Sequence, residues 1–264
     1  MAYNQNNQKN ARRPNSGYKR RDPKEREQRE REAKALSLSN WIPRTSLGRE
    51  VKDGNIKSIK EIFEKRLIIK ESEIVDILVP DLKEEIMLIG GTPGKGGGKK
   101  RTPMRATTRM HEAGRRRTIH TFVCIGNEDG LLGYSYTKGK DMLSTLNKTR
   151  RQAKLNIFPI RRGCGSWECQ CGTNHSIPFV MRGKCSSVHV KLIPAPKGLN
   201  LCADSEIKKI LRLAGIKDMW IKSRGQTGTS INFLFAIINA FENLNAFKVN
   251  EDYISSVGLD EIKG

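Results

Sequence analysis

The sequence predicts an α+β chain built from two successive units, and three observations carry that prediction. Apolar residues over 117–125 and 131–136 flank the turn-rich Asn127-Glu128-Asp129-Gly130, which reads as a β-hairpin. A basic segment with helical apolar spacing follows directly over 140–156. The strand-then-helix order returns after Ser186, where Val188, Val190 and Leu192 alternate and Ile207, Ile210, Leu211 and Ala214 recur at helical spacing. At 264 residues the chain is long enough to give both units a core.

Taken in order, residues 1–40 read as a disordered basic arm. Over 1–35, eleven Lys/Arg face five acids, and so little apolar surface cannot offset chain entropy. Residues 41–89 read as a helical N-terminal extension. Trp41 anchors its start, and Ser58-Ile59-Lys60-Glu61 forms a capping box. A second helical piece is expected over 71–78. A third is expected after Pro80-Asp81, with Leu82, Ile86 and Ile89 on one side. Six acids against two lysines over 70–89 assign this stretch to solvent or to a basic protein.

Residues 90–113 read as a Gly/Lys-rich basic loop. Its Gly-Lys steps are not followed by Ser or Thr and have no Gly five positions before them, so it fails the phosphate-loop pattern. The core of the first unit is expected over 114–181. Ile119, Thr121, Val123 and Ile125 alternate with His120, Phe122 and Cys124, and Leu131, Leu132, Tyr134 and Tyr136 form the partner strand. In the helix, Met142, Leu143, Leu146 and Ala153 supply the buried stripe. The second unit is expected over 186–247. Pro194 and Pro196 end its first strand, Gly215 stops its first helix, and 219–221 gives a short strand. A last amphipathic helix runs over 230–243, and a weakly patterned tail covers 248–264.

The net charge of +21 sets the class of partner. Such an excess of cation destabilises a compact state unless an anion neutralises it. Aromatics make up only 6%, which argues against binding by successive base stacking and for binding by charge and shape. The cations cluster: Arg115, Arg116 and Arg117 open the first unit, and residues 138–162 hold eight Lys/Arg against one acid. Lys138, Lys140, Lys148, Arg150, Arg151, Lys154, Arg161 and Arg162 make up that second group. A polyphosphate such as RNA fits this layout. No run approaches eighteen apolar residues, so no membrane span is expected, and the N-terminus lacks the apolar core of a secretory signal.

Six cysteines in a chain of this size without such a signal suggest reduced thiols or a metal site. Cys164, Cys169, Cys171 and His175 follow a Cys-x4-Cys-x-Cys-x3-His spacing. Two readings stand: structural zinc in a closed thiolate and imidazole set, or a reduced thiol cluster in a loop. Cys124 and Cys202 read as core fillers. His120 and His189 read as structural. No catalytic zinc pattern, nucleophile elbow or paired carboxylate appears, so no enzyme and no required cofactor are expected.

Four blocks give the sequence a closer relation. They are Trp41-Ile42-Pro43 with Leu47-Gly48-Arg49-Glu50-Val51-Lys52; Ile69-Lys70-Glu71-Ser72-Glu73-Ile74-Val75-Asp76; Ala153-Lys154-Leu155-Asn156 through Arg161-Arg162-Gly163-Cys164-Gly165-Ser166-Trp167-Glu168-Cys169; and 188–197 with Leu213-Ala214-Gly215-Ile216-Lys217-Asp218. In this order the chain closely resembles universal small-subunit ribosomal protein five, called small-subunit protein two in eukaryotes, in its archaeal and eukaryotic branch. The cysteine-bearing loop looks most like archaeal members. The resemblance implies a double-stranded-RNA-binding-like α/β domain followed by a two-layer α/β sandwich of the ribosomal-protein C-terminal type. It implies a non-enzymatic, cytoplasmic, structural role in the small subunit near the decoding region and the channel by which mRNA enters, supporting assembly and translational accuracy. The partners it implies are rRNA, mRNA, and universal small-subunit proteins four, eight and three. The segment matching the family's RNA-contacting loop is 109–117, which puts Arg115, Arg116 and Arg117 on rRNA phosphates and Arg109 nearer the mRNA. Gly198-Leu199-Asn200 stands where the family carries Gly-Thr-Gly, and 90–105 looks like an insertion. Two rival functions share parts of the pattern: a free double-stranded-RNA-binding protein, and a zinc-dependent nucleic-acid enzyme.

Overall fold

The computed structural model describes residues 36, 38–94, 96–169, 171–250, 253, 257 and 258. The expected arm lies outside the described residues as far as residue 35, as does most of the tail beyond residue 250.

Helices α1 (Ser46–Lys52), α2 (Ile59–Glu64) and α3 (Ser72–Leu78) lie before the sheets. The capping box of α2 is formed. The Ser58 hydroxyl accepts from the Glu61 amide at 3.4 Å, and the Glu61 carboxylate accepts from the Ser58 amide at 3.2 Å. The helix expected after Pro80-Asp81 is a strand instead, β1 (Lys83–Ile86). Residues 82 and 86 share a face whether the chain is a helix or a strand, so apolar spacing alone cannot separate the two. Pairing with a longer strand decides it.

The stretch 90–113, expected as a loop, is also built into strands. Strands β2 (Gly90–Pro93) and β3 (Lys99–Thr102) form a small hairpin. Strand β4 (Met104–His111) then pairs residue by residue with β5 (Gly114–Gly126), from Met104 opposite Thr121 to His111 opposite Gly114. The turn between them is Glu112-Ala113, and Gly114 takes φ +106°, a left-handed value that suits glycine. On its other edge β5 pairs with β6 (Leu131–Gly139), and β6 pairs with β7 (Ile157–Pro159). Strands β1 and β4 share one edge of β5 end to end, so the first sheet is antiparallel throughout.

Helix α4 (Met142–Leu155) covers one face of this sheet. Asp141 caps it by accepting from the Ser144 amide at 3.3 Å. Its buried stripe differs from expectation. Leu146 and Ala153 are buried, but Leu143 is 71% exposed, and the other buried positions are Thr145 and Thr149. The Thr149 hydroxyl lies 2.6 Å from that of Thr121 and 2.7 Å from that of Thr137, and donates to the Thr145 carbonyl at 2.7 Å. A connected hydroxyl chain therefore fills space that aliphatic side chains would otherwise take, its internal hydrogen bonds offsetting the cost of burial.

The second sheet runs β10 (Leu201–Cys202), β11 (Met219–Arg224), β9 (Val188–Pro194), β8 (Met181–Cys185), with only the β10–β11 pair parallel. Helices α5 (Ser205–Leu213) and α6 (Ser230–Ala246) complete the unit. Gly215 adopts φ +78° as expected of a helix stop. Helix α6 sits close on β8: a Cβ at Gly183 would stand 1.9 Å from the Ala236 carbonyl oxygen.

The two sheets share one apolar core. Phe122, Cys124 and Leu132 of the first, with Met87 just after β1, join Val188, Val190 and Leu192 of the second and Ile207, Ile210 and Phe241 of its helices in a single buried cluster. Phe235 of α6 links them, edge-on to Phe122 at 5.4 Å between ring centroids and to Tyr136 at 5.9 Å. Cys124 is a core residue as expected, whereas Cys202 is exposed on the short edge strand β10. Among the described residues no helix is long and apolar enough to cross a membrane.

Candidate nucleic-acid interface and a thiol–histidine cluster

Strand β6 accompanies β5 only as far as Ile119, opposite Gly139. From Thr118 to the turn, β5 pairs with β4 alone. Those five residues carry a two-stranded ribbon roughly 17 Å beyond the sheet at about 3.4 Å per residue. Residues 105–111 and 115–117 are exposed on both faces, and an isolated two-stranded ribbon in water is marginal.

The register sorts the ribbon's cations by face, because residues directly opposite one another project to the same side. Arg109 stands opposite Arg116, and Arg105 opposite His120, which in turn faces Lys138. Arg115 and Arg117, opposite Met110 and Thr108, project to the other side. Like charges facing each other weaken a ladder. Among the described residues no carboxylate pairs with Arg105, Arg109, Arg115, Arg116 or Arg117. An anion supplied from outside would relieve that repulsion. Lys138 and Lys140 are exposed where β6 ends, at the ribbon's base. His120 bridges the strands, with Nδ1 2.9 Å from the Tyr136 hydroxyl and Nε2 3.1 Å from that of Thr107. Burial, then the charges of Arg105 and Lys138, hold its pKa below the usual histidine value.

The remaining cations divide. Lys148 and Arg151 lie exposed on α4. Arg150 pairs with Glu84 at 2.7 Å and Lys154 with Asp76 at 2.6 Å. Of the acids of 70–89, expected to face solvent or a basic protein, Asp76 and Glu84 instead supply partners for α4 cations, while Asp81 and Glu85 are exposed. Arg162, with 11% of its side chain exposed, pairs with Asp129 at 2.6 Å, and Arg161 donates to the Phe247 carbonyl at 2.6 Å. These four side chains tie elements together. The structure adds Arg105 to the cations read from the sequence: it sits four residues before Arg109, on the same face of strand β4.

On the loop between β7 and β8, one ligand atom from each of Cys164, Cys169, Cys171 and His175 lies within 4.8 Å of every other. Cys169 Sγ is 3.9 Å from His175 Nε2. The buried His175 directs Nδ1 to Asp218 Oδ2 at 2.9 Å, and the Lys197 amide donates to Cys169 Sγ at 3.5 Å. A hydrogen bond from the Thr173 hydroxyl, 3.0 Å from Cys171 Sγ, lowers the Cys171 thiol pKa to about 6. Burial raises that of Cys164. Asp218 Oδ1 also accepts from the amides of Gly198 and Asn200 at 3.1 and 2.7 Å. Asn200 sits at φ +65°, a conformation asparagine tolerates well among non-glycine residues.

Comparison with known proteins matches this architecture. Residues 100–161 match the family model described as ribosomal protein S5, N-terminal domain, and residues 183–252 the model described as ribosomal protein S5, C-terminal domain. The chain is similar to a small ribosomal subunit protein uS5 of Pyrobaculum islandicum, 49% identical over 214 residues, 81% of this chain and 98% of that one. It is similar to that of Pyrobaculum aerophilum at 47% over 214 residues, 81% of this chain and 91% of its relative. The uS5 of Methanobrevibacter smithii is 42% identical over 225 residues, 85% and 99% of the two chains. With both domain models matched in sequence order and archaeal relatives aligned over most of its length, the chain belongs to the ribosomal protein S5 family.

Proposed function

We propose that this chain is a non-enzymatic structural component of the small ribosomal subunit that binds rRNA through the β4/β5 ribbon. The observation that carries this reading is the set of five exposed arginines on a projecting ribbon, among which no described carboxylate offers a partner. Two faces of cation on one thin element suit insertion between phosphate backbones, where each neutralised phosphate releases counterions. Arg115 and Arg117 address one wall, and Arg105, Arg109 and Arg116 the other, with Lys138 and Lys140 at the base. Lys148 and Arg151 extend the cationic surface along α4. Such contacts position a protein on RNA without reading sequence.

The family resemblance supports the finer assignment. The ribbon lies beside the decoding region and the channel by which mRNA enters, with Arg109 on the mRNA side. Universal small-subunit proteins four, eight and three are its neighbours, and the site of action is the cytoplasmic ribosome. Holding an rRNA junction rigid there supports subunit assembly and translational accuracy. This role calls for no cofactor.

Sedimentation of native lysate through sucrose gradients at low and high salt tests the reading. Comigration with small-subunit rRNA that survives high salt is expected. Release into the light fractions at modest salt would overturn it in favour of a free RNA-binding protein.

A further inference from the structure

The thiol–histidine cluster lies on the loop between β7 and β8, with its own set of hydrogen bonds and no residue in the β4/β5 ribbon. We propose that Cys164 Sγ, Cys169 Sγ, Cys171 Sγ and His175 Nε2 hold one structural zinc ion, and that the metal pins the 163–176 loop to the 196–200 turn of the second sheet.

Ligand chemistry and geometry carry the assignment. Three thiolates and an imidazole form a soft, tetrahedral donor set that selects zinc over hard cations. Zinc–sulfur and zinc–nitrogen bonds of about 2.3 and 2.0–2.1 Å place tetrahedral ligand atoms about 3.6–3.8 Å apart. The Cys169–His175 pair already stands at 3.9 Å, and no pair of the four exceeds 4.8 Å. Small side-chain rotations close the remainder. Four protein ligands leave no open position, so the ion is structural and not catalytic. Binding releases the protons of whichever thiols are protonated to solvent.

The surroundings are those of a metal site. His175 Nδ1 is engaged by Asp218 at 2.9 Å, which fixes the ring and leaves Nε2 for the metal. The Lys197 amide points at Cys169 Sγ, as a donor to a metal-bound thiolate would. The same Asp218 holds the Gly198 and Asn200 amides, while His175 O accepts from Lys217 and Asp218 at 2.9 and 3.1 Å. A metal on His175 is therefore connected, through one carboxylate, to the turn that follows β9. Without it, the 163–176 loop is held by backbone hydrogen bonds, such as those between Gly163 and Ser176, and by the His175–Asp218 contact, while its three thiols lack a common centre.

The test uses the full-length chain purified under reducing conditions without added metal. Elemental analysis is expected to find one zinc per chain. Cobalt added to chelator-stripped protein is expected to give tetrahedral ligand-field bands with thiolate-to-cobalt charge transfer. Cys171→Ser should weaken zinc retention at least tenfold, while Cys202→Ser, outside the cluster, should not. In hydrogen exchange, the Gly198 and Asn200 amides should exchange at least tenfold faster once zinc is removed. Absence of both zinc and the tetrahedral cobalt spectrum in the reduced wild-type chain would overturn the site. Bound metal with unchanged exchange at 198 and 200 would overturn the pinning.

Discussion

Replacing Arg115, Arg116 and Arg117 together by glutamine should change salt dependence more than fold. Each is exposed on the ribbon, and none has a carboxylate partner among the described residues. If each neutralises one phosphate of an RNA helix, the slope of log affinity against log salt should fall by roughly 0.9 per residue, about 2.7 in all. Over a fourfold rise in salt, from about 0.05 to 0.2 M, wild type should then lose about 40-fold more affinity than the variant. Arg150→Gln with Lys154→Gln is the matched control. It removes two cations instead of three, but these are bonded to Glu84 and Asp76 at 2.7 and 2.6 Å. The control should leave the slope nearly intact and lower stability by about 0.2–1 kcal/mol per pair. Fluorescence anisotropy on a small-subunit rRNA helix across a salt series reads the slopes, and urea denaturation reads the stabilities. Equal slope loss per residue in both variants would refute the division into free and committed cations.

Gly183→Ala should destabilise the second unit by about 1–3 kcal/mol in urea denaturation, since its Cβ would meet the Ala236 carbonyl oxygen at 1.9 Å and force α6 off β8. Thr149→Val should cost about 1–3 kcal/mol despite conserving shape, by leaving the buried Thr121 and Thr137 hydroxyls to re-pair; an unchanged denaturation midpoint would contradict this. His120 has a folded pKa below its usual 6.5. Its contribution to stability should therefore be full above pH 6.5 and be lost as pH falls toward the lowered value. Bound rRNA phosphates should offset the charges of Arg105 and Lys138 and move the His120 pKa upward, which imidazole NMR titration would read.

The sequence made the interior legible where burial is one-sided and periodic. The β5/β6 hairpin, α5 and α6 stand where alternation and helical spacing put them. It was silent where side chains face solvent on both sides. Met104–His111 carries no alternating apolar pattern because neither of its faces is buried, so it read as loop although it pairs along its whole length. The Thr145 and Thr149 positions of α4 were masked for the opposite reason: polar side chains are buried there because they satisfy one another. For the interface, composition found the arginines of the tip, and only the register reveals that they divide between two faces. Composition also cannot separate Lys148 and Arg151 from Arg150 and Lys154. That distinction depends on Asp76 and Glu84, some seventy residues earlier in the chain.

The common core has a consequence for how the chain matures. Phe122 leaves its own ribosome about 110 residues before Phe235, the ring that covers it. At about 5–20 residues per second that interval is roughly 6–23 s. Throughout it, Phe122 and Tyr136 lack the Phe235 ring that packs on both of them. Such contacts between distant segments also slow folding once synthesis ends. Until Phe235 is made, the apolar surface it covers is exposed to association with other chains.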